Sequence, residues 1–583
     1  MHKTAIYEIF RSCQYFIFVL LPIINLAQNA TIDSDFWQQN QEWFEYAIID
    51  LDKAQPREQI LAQIRVDAIR QHIDNTPENV SKAPEDLARH IESGTENDYE
   101  KAYAVFRWIA ENLRYDHHGW DTQKQSYMNP EDILQYRTAV CAGYSVLYRK
   151  LLGLMGVEAV YMRGLVKNEL PLLQKQNTQW SPQNDEWLGR HAWNVVKLDG
   201  AWYFVDCTWG NKNYEKSTGA LLRDVEDYYF IVEPDELIGT HFPEYPIWQL
   251  LESPIEKQQF VQAPIVHKAY YQHRIGFSEP LSLILDGDNM NSLTFSADKN
   301  TIFKAHIQDG DSTFANGFTL IQREGENISL LFDYPFASQY DLHVMGRAAR
   351  DTAWAPCFSC KVHQASKNDR AGSALPVAFN GLFQELGIRL VSDLSQLSQV
   401  DSVLELAFEA PPQQFLTADI IWEDVALPGY LTTMQPEGSL VKIFARLPGP
   451  GRYTAFVKTR DIQQTEGDAE YGMKIDIKST QPVRQLLPFV ERKDKHHLKP
   501  LFEQNAIMQS DSSEVLKFLV KADRLYYAFL QDTTGQNIKD ATFIRRFGDT
   551  LLVSYKLPHA GEFLLEIFDK PDDPAIEKRS EEH

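Results

Sequence analysis

A cysteine, a histidine and an aspartate in the first half of the chain have the types and the order that cysteine-based acyl transfer requires. Cys141 lies in RTAVCAG, at the predicted start of a helix that runs to Met155. His191 opens the strand-like run HAWNVVKL, and Asp206 lies in the run AWYFVDCTW that comes after it. A cysteine nucleophile needs a base that takes its proton and a third group that orients the base. We therefore name Cys141, His191 and Asp206 as the candidate catalytic residues.

The predicted position of Cys141 favours a reactive thiol. Unpaired N–H groups and the positive end of the helix dipole lower the pKa of a thiol at a helix start. The same N–H groups can stabilise the oxyanion of an acyl-transfer intermediate. Ala142 and Gly143 are small, and we expect them to leave room for a substrate. Taken alone, however, this position fits a buried structural cysteine better than a nucleophile.

The two strand-like runs relate His191 to Asp206. Asp199-Gly200 predicts a two-residue hairpin turn between them, so that paired positions on the two strands sum to 399. His191 then faces Thr208, and Asp206 is its diagonal neighbour on the same face of the sheet. An imidazole and a carboxylate can bridge that gap, whereas a register slip of one residue would put them on opposite faces.

Other residues near these three carry weaker functional signals. By strand alternation Cys207 points away from the acid, so we predict that it is a core residue. Trp193 and Trp202 line the site or pack in the core, and the sequence leaves both roles open. His117 and His118 resemble a metal-binding pair only superficially, because adjacent residues project in different directions. We assign these two histidines no role.

The five cysteines do not form a disulfide framework, because they are too few for a chain of 583 residues. Cys13 falls in the predicted leader. Cys357 and Cys360, in CFSC, could close a small local disulfide or remain free thiols. A redox or metal role for this pair is disfavoured, because it does not open a helix after a strand and no second pair completes a zinc site. The sequence thus predicts no cofactor and no metal.

The first 27 residues are typical of a secretory signal peptide. Lys3 and Arg11 precede the apolar run Tyr15 to Ile24, and Ala27 offers a cleavage site before Gln28. A membrane span needs about 20 apolar residues, which this run does not reach. We expect a secreted or periplasmic protein with no membrane span after cleavage.

Charge and composition exclude other classes of protein. The formal net charge is -24, and such a surface repels the phosphates of nucleic acid. With 44% hydrophobic and 24% charged residues, the chain is neither disordered nor a multi-span membrane protein. We expect a protein or peptide substrate and no nucleic-acid partner.

The chain divides into segments of different texture. Arg57 to Ile73 has the apolar spacing of a helix, and Asn97 to Leu113 predicts another. Helices followed by antiparallel strands indicate an α+β domain, and from about residue 260 strand-like runs dominate. We assign a signal peptide to 1–27, a helical lead-in that packs on the next domain to 28–95, an α+β catalytic domain to 96–255, and β-sandwich modules to 260–372, 373–485 and 486–575.

An internal repeat carries the prediction of three modules. Ala305, Ala418 and Ala528 lie in strand-like runs at offsets of 113 and 110 residues. The segments PFASQY, PGPGRY and PHAGEF repeat the same two offsets, and an alternating apolar strand follows each of them. Such spacing predicts homologous β-sandwich modules of about 110 residues, the size of immunoglobulin-like domains.

The residues around the candidate triad resemble the core signature of transglutaminase-like domains. The resemblance rests on WIAENLRYD (108–116), CAGYSVLYRKLLGLMGVEAVYMRG (141–164), HAWN (191–194) and VDCTW (205–209). Carried over by position, the nucleophile of that family falls on Cys141, its base on His191 and its orienting acid on Asp206. The segment HFPEYPIWQL (241–250), followed by tandem β-modules, is similar to the kyphoscoliosis peptidase and hillarin group and its bacterial relatives.

The resemblance implies an α+β papain-like transglutaminase core followed by tandem all-β immunoglobulin-like sandwich modules. It also implies an enzyme in which a cysteine attacks protein or peptide amides. Release of the acyl-enzyme by water would make it a peptidase or amidase, which we favour over a transglutaminase because no amine-binding feature is visible. The sequence shows no acidic cluster that we can assign to calcium.

Two alternatives remain open. The chain could be a catalytically silent scaffolding or adhesion protein that binds a surface or protein partner through its β-modules, since a fold does not fix a function. It could also be a thiol–disulfide enzyme that acts through Cys357 and Cys360. The reactivity of Cys141 as a thiolate discriminates between these hypotheses and the acyl-transfer enzyme.

Overall fold

The computed structural model describes residue 49 and most of residues 51–571. The positions left out of that range are 118, 120–126, 169, 171–186, 213–223, 288–290, 315–316, 336–337, 364–374, 380, 395–399, 401–402, 428–430, 462–468, 480–497, 501–513, 521–523, 533, 540 and 559–562. The predicted signal peptide lies outside the described residues. Among the helices that are described, none has the length and apolar character needed to cross a membrane.

The chain divides into two compact units. The first contains residues up to 162 together with 192–234 and 247–254, and the second contains 163–191, 235–246 and the residues from 255 onward. The boundary falls inside Ala159–Val166 and Gly189–Leu198, two strands of one five-stranded sheet, so this sheet belongs to both units.

Helices dominate the beginning of the first unit. Their bounds are α1 Arg57–Leu61, α2 Val66–Asp74, α3 Pro84–Ser93, α4 Asp98–Asn112, α5 Pro130–Tyr136 and α6 Cys141–Leu154, with 3₁₀ helices at Leu51–Lys53, Val80–Lys82 and Asp227–Tyr229. The predicted helices at α4 and α6 are confirmed. Asn97 caps α4 by accepting a hydrogen bond from the N–H of Glu100 at 2.9 Å, and α6 begins at Cys141 itself.

The helical lead-in shares one hydrophobic core with α4 and α6. Ile60, Ile64, Ile69 and Ile73 are buried in the same cluster as Trp108 of α4. Burial of each such side chain stabilises the fold by about 1.5–3 kcal/mol. The expectation that the lead-in packs on the next domain is therefore confirmed.

The prediction of a helix over Arg57 to Ile73 is wrong at its centre, where the helix is broken between α1 and α2. Arg65 leaves the helical conformation, with a ψ of 69°. Its backbone N–H and its guanidinium both donate to the buried carboxylate of Glu100, at 2.6–3.0 Å. This partner lies 35 residues away, so the local apolar spacing could not reveal it.

Two sheets complete the α+β part of the chain. A short parallel pair joins β1 Arg114–Tyr115 to β2 Thr138–Ala139. The five-stranded sheet has the order β6-β5-β4-β3-β7. Its strands are β3 Ala159–Val166, β4 Gly189–Leu198, β5 Ala201–Val205, β6 Phe230–Val232 and β7 His241–Pro243, and α7 Pro234–Leu237 lies between the last two.

The predicted hairpin register is confirmed between β4 and β5. Asn194 pairs with Val205, and the pairs beyond it keep the sum of 399 down to the turn. Both turn residues have a positive φ, 48° at Asp199 and 84° at Gly200, as a type I′ turn requires. The second predicted strand, over 201–209, is too long, because β5 ends at Val205 and Asp206 opens a turn.

The region after residue 255 is mostly β. It begins with the helices α8 Lys257–Gln262 and α9 Lys268–Gln272 around the strand β8 Ile265–Val266. The next strands are β9 Ile284–Asp286, β10 Ser292–Ser296, β11 Thr301–Asp309, β12 Ser312–Phe314, β13 Thr319–Glu324, β14 Asn327–Phe332, β15 Gln339–Ala348 and β16 Ala355–His363. They form two sheets, β10-β14-β13 and β12-β11-β15-β16-β8, with β9 parallel to β16 and every other pair antiparallel.

Four further antiparallel sheets come after these. Their elements are β17 Val377–Ala378, α10 Leu382–Leu386, β18 Arg389–Leu390, β19 Val403–Glu409, β20 Gln414–Trp422, β21 Val425–Ala426, β22 Thr432–Glu437, β23 Leu440–Arg446, β24 Gly451–Asp461, β25 Glu470–Ser479, β26 Leu498–Pro500, β27 Glu514–Val520, β28 Arg524–Asp532, β29 Thr542–Phe547, β30 Thr550–Tyr555 and β31 Phe563–Pro571. The sheet orders are β17-β25-β24-β20-β21, β18-β19-β23-β22, β26-β27-β30-β29 and β28-β31.

The same strand pairing recurs at the two offsets found in the sequence. β11, β20 and β28 begin 113 and 110 residues apart. Within them Ala305, Ala418 and Ala528 pair with residues of β15, β24 and β31 that keep the same offsets. A shared register over three segments is the structural form of the sequence repeat.

Cys357 and Cys360 are free thiols rather than a disulfide, which decides between the two states that the sequence left open. Both lie in β16 and are fully buried. Burial raises the pKa of Cys357 to about 12 and raises that of Cys360 further. These thiols therefore stay protonated at neutral pH.

The hairpin turn should depend on a glycine at position 200. Gly200→Ala should lower the free energy of unfolding by about 1–2 kcal/mol, because its φ of 84° is left-handed. The space around the added Cβ is open, with the nearest atom in the Lys53 side chain at 3.4 Å, so the effect isolates backbone strain. Urea unfolding measures it.

The matched control is Gly153→Ala in α6, where an added Cβ meets no atom within 4 Å. Alanine should raise the stability there by about 0.5–1 kcal/mol, because glycine is a poor helix former. Equal shifts for the two variants would contradict the role of the turn.

Candidate active site

Cys141 is the first residue of α6. The residue before it, Val140, is extended and gives the helix no side-chain cap. Backbone N–H groups at such a helix start carry partial positive charge and favour a thiolate. Cys141 is only 5% exposed, and the hydroxyl of Ser145 donates to its carbonyl oxygen at 3.1 Å. The structure thus places the candidate nucleophile where the sequence predicted it.

The expectation that Gly143 leaves room for a substrate is wrong. Gly143 is buried, and a Cβ there would lie 2.6 Å from the Cβ of Ala139 and 2.8 Å from the carbonyl oxygen of Tyr127. Its small size is needed because α6 packs closely against β2 and the chain around Tyr127.

Tyr115 contacts the nucleophile directly. Its hydroxyl is hydrogen-bonded to the Cys141 side chain and accepts a hydrogen bond from the Cys141 N–H. The pairing of Tyr115 with Ala139 puts the phenol beside the start of α6. Burial and the negative charge of the Cys141 thiolate raise the pKa of Tyr115 well above its usual value, and the Asp206 carboxylate adds to this effect. Tyr115 therefore lies within electrostatic reach of both Cys141 and Asp206.

Asp206 ends β5 through its own side chain. Its Oδ1 accepts hydrogen bonds from the N–H groups of Thr208 at 2.8 Å and Trp209 at 3.0 Å. This turn stops the strand, which explains why the predicted second strand is too long. The carboxylate is 1% exposed and is held in one orientation.

His191 and Asp206 come together as predicted, and a second histidine joins them. One ring nitrogen of His191, one carboxylate oxygen of Asp206 and one ring nitrogen of His241 all lie within 4.8 Å of one another, and the three residues are buried. The rings of His191 and His241 have their centroids 5.5 Å apart. Two imidazoles and a carboxylate are also a donor set that can hold a transition-metal ion.

Asn194 fastens the strand of His191 to the helix of Cys141. Its side chain is fully buried, and its Nδ2 donates to the carbonyl oxygens of Ser145 at 3.1 Å and Val160 at 3.3 Å. One side chain thus ties β4 to α6 and to β3, which limits the movement of the base relative to the nucleophile.

The remaining sequence predictions have clear outcomes in the structure. Cys207 is 2% exposed in the hydrophobic core, and burial raises its pKa well above the usual value, so its assignment to the core is confirmed. Trp193 and Trp202 are both buried, and Trp202 packs edge-on against Trp248 at 5.3 Å. His117 packs its ring against that of Tyr115 at 5.0 Å, while position 118 lies outside the described residues.

Sequence reasoning missed three residues of this site: Tyr115, Asn194 and His241. Each lies in a segment that supported the family resemblance, WIAENLRYD, HAWN or HFPEYPIWQL. The signal was therefore present, but no spacing rule connects positions 26 to 100 residues apart in the chain. Only the folded sheet brings them to Cys141 or His191.

Residues 85–207 match the family model of the Transglutaminase-like superfamily. The chain therefore contains a transglutaminase-like domain, and Cys141, His191 and Asp206 all lie within it. The C-terminal part, in which described strands form antiparallel sheets, comes after this domain.

Among characterised proteins the chain is similar to kyphoscoliosis peptidase and hillarin. Kyphoscoliosis peptidase of Mus musculus is 27% identical over 208 residues, covering 36% of this chain and 30% of that protein. The Lim and transglutaminase domain protein ltd-1 of Caenorhabditis elegans is 30% identical, covering 33% and 27%. Hillarin of Drosophila melanogaster is 28% identical, covering 33% and 24%. The matched part spans less than a third of each relative.

Tyr115→Phe should make Cys141 a weaker acid. Removing the hydroxyl takes away a hydrogen bond to the thiolate, which is worth about 1.5–3 kcal/mol for a charged partner. The pH midpoint of Cys141 alkylation by iodoacetamide should therefore rise by at least about one unit, read by mass spectrometry of the Cys141 peptide.

Tyr144→Phe is the matched control, because the Tyr144 hydroxyl accepts a hydrogen bond from Asn211 at 2.7 Å. This variant should leave the alkylation midpoint of Cys141 where it is in the unmodified chain. A midpoint that Tyr115→Phe leaves unchanged would show that the phenol does not stabilise the thiolate.

Proposed function

We propose that this chain is a cysteine-nucleophile acyl-transfer enzyme that acts on protein or peptide amides, chiefly as a peptidase or amidase. The observation that carries the proposal is the arrangement around Cys141. A cysteine at an uncapped helix start is hydrogen-bonded to Tyr115, which lies within electrostatic reach of Asp206. Asp206 in turn lies beside His191.

The steps of the reaction are set by these roles. The Cys141 sulfur attacks the carbonyl carbon of the amide while His191 takes the thiol proton, and the oxyanion forms next to the N–H groups at the start of α6. Collapse of the tetrahedral intermediate breaks the C–N bond, and His191 returns the proton to the departing amine. Water, activated by His191, then attacks the thioester and releases the acid.

The orienting role falls on Asp206. Two backbone N–H groups fix its Oδ1, so the carboxylate keeps one direction while His191 gains and loses a proton. A fixed carboxylate stabilises the imidazolium and holds the ring in its working tautomer. Its cost of burial is offset by those hydrogen bonds.

Hydrolysis is favoured over transamidation for two reasons. Water reaches any acyl-enzyme, and no amine-binding feature is visible in the sequence. The similar protein from mouse is named a peptidase, which agrees with this choice. An amine acceptor in place of water would make the same residues a transglutaminase.

We extend the proposal to the rest of the chain. The repeated sheets after residue 260 are proposed to be immunoglobulin-like sandwiches, on the strength of their common register and their spacing of 113 and 110 residues. Export to a secreted or periplasmic location is proposed from the first 27 residues alone.

A second candidate function is scaffolding or adhesion through these modules. The observation that favours it is the exposure of two aromatic side chains on β29, Phe543 at 65% and Phe547 at 81%. Large exposed apolar side chains close together mark surfaces that bind partners. Under this hypothesis the residues around Cys141 would be catalytically silent.

The thiol–disulfide hypothesis loses support. Burial raises the pKa of Cys357 to about 12 and holds both CFSC thiols in the protonated form. Thiol–disulfide exchange requires an accessible thiolate, which two buried cysteines inside β16 do not provide.

Cys141→Ala should abolish amide turnover while the unfolding temperature stays close to that of the unmodified chain. The side chain lost is the nucleophile, and alanine fits the same buried position. Turnover of a peptide library and thermal unfolding are measured on the same preparations. Full turnover by the variant would contradict the proposal.

The pH dependence of alkylation separates the enzyme from the scaffold. Cys141 should react with iodoacetamide below pH 7, because the helix start and His191 stabilise its thiolate, and His191→Ala should remove this reactivity. Cys207, Cys357 and Cys360 are internal controls that should stay unlabelled, since burial raises their pKa values. A Cys141 that reacts only near pH 8.5, the pKa of an ordinary thiol, would favour scaffolding.

A further inference from the structure

His241 is a buried histidine to which the proposed reaction gives no role. It opens HFPEYPIWQL, is 1% exposed, and pairs with Val166 as β7 joins the edge of β3. A buried imidazole in contact with a catalytic pair needs a physical reason, because an unsatisfied polar ring in the interior costs free energy.

The donor atoms of this cluster are close enough for one small cation. His191, Asp206 and His241 each offer an atom within 4.8 Å of the other two. Tetrahedral zinc at about 2.0–2.1 Å from its ligands would bring such atoms to about 3.3 Å from one another. Small side-chain rotations, without movement of the strands, can close the difference.

Two hydrogen bonds around the cluster already have the form of a metal site's outer support. The Thr240 hydroxyl donates to the carbonyl oxygen of Leu237 at 3.4 Å, so towards the Nδ1 of His241, 2.9 Å away, it acts as the acceptor. The proton of His241 therefore sits on Nδ1, and Nε2 carries the lone pair that a metal ion uses. Histidines that bind metals almost always have their other nitrogen held in this way.

Asp206 is supported in the same manner. Its Oδ1 is held by the N–H groups of Thr208 and Trp209, which orients Oδ2 as the oxygen that can turn to a cation. Ligating carboxylates in metal sites are commonly hydrogen-bonded at their second oxygen. Both supports come from neighbours in the chain, so they persist whether or not an ion is bound.

The ligand types select the metal. Imidazole nitrogen with one carboxylate oxygen suits zinc and other transition metals of borderline softness. Calcium and magnesium prefer sites built from oxygen alone. Three protein ligands would leave a fourth tetrahedral position for water or for the nearby thiolate.

We propose that His191, Asp206 and His241 form a zinc site, and that zinc bound there reversibly blocks the base of the proposed reaction. The second half of this inference rests on the proposed function, because an ion on His191 prevents it from taking the Cys141 proton. The first half, metal binding, stands without any catalysis. His241 is then the residue that makes a catalytic pair into a regulatory metal site.

The test of binding uses the full chain carrying Cys141→Ala, reduced and freed of metal, so that catalysis plays no part. Zn²⁺ is titrated against a chromophoric chelator, and Co²⁺ is used for its absorption spectrum. One equivalent should bind, with the d–d bands of low-coordinate cobalt. Adding His241→Gln should weaken Zn²⁺ binding by at least about tenfold, the usual size of losing even a supporting contact in a metal site.

His117→Gln is the matched control, an exposed histidine of the same domain, and it should leave the affinity unchanged. Thr240→Val keeps His241 and removes only its hydroxyl partner, so it should weaken binding several-fold even if His241→Gln perturbs the fold. Equal affinities in the His241 and His117 variants, or no binding at micromolar Zn²⁺, would overturn the site.

The regulatory half is tested on the chain with Cys141 intact. Zn²⁺ should slow iodoacetamide labelling of Cys141 at least tenfold, a chelator should restore the rate, and His241→Gln should remove the protection. Zinc that binds at one equivalent without slowing the labelling would overturn the block while leaving the site. A Cys141 that is unreactive in metal-free protein would instead refute the proposed function, and the titration of Cys141→Ala would still decide the metal site.

Discussion

The pairing register of the β4–β5 hairpin is the constraint on which the candidate site depends. Side chains of a strand alternate between its faces, so a slip of one residue would carry His191 to the side away from Asp206. The register is set by the turn at Asp199 and Gly200, because both adopt the positive φ that matches the twist of paired strands. A local turn thus decides which side chains meet near the far end of the hairpin.

The far end of the hairpin is held by side chains rather than by the ladder. Asp206 stops β5 by accepting two backbone hydrogen bonds, and Asn194 ties β4 to α6 and β3. Buried amides and carboxylates are stable only when they are paired, so these bonds stabilise the fold and aim the reactive groups at once. Tyr115 does the same for Cys141, since it reaches the start of α6 through the short pairing of β1 with β2.

A cluster of two imidazoles around one carboxylate can serve a proton or a metal ion. During acyl transfer the cation beside Asp206 is the proton that His191 takes from the thiol. Zinc would replace that proton, which explains how one arrangement could support both turnover and its inhibition. Burial strengthens both interactions, because charges attract more strongly where water is excluded.

The sequence by itself determined the features that depend on local periodicity and turn chemistry. It predicted the helix that begins at Cys141, the hairpin and its register, and the offsets at which β-strand pairing repeats. These arise from side-chain alternation, helix spacing and the special φ values of a few turn residues, all of which are encoded within ten or so neighbouring positions.

The tertiary structure decided what depends on partners distant in the chain. The break at Arg65 needs Glu100, the packing of Gly143 needs the carbonyl of Tyr127, and both Tyr115 and His241 reach the site only through β-pairing with other segments. The end of β5 at Asp206 is a local event, but an aspartate in a run of apolar residues does not reveal whether it will cap its own strand. Contacts of this kind depend on how strands and helices are packed together, and one-dimensional spacing carries no information about that packing.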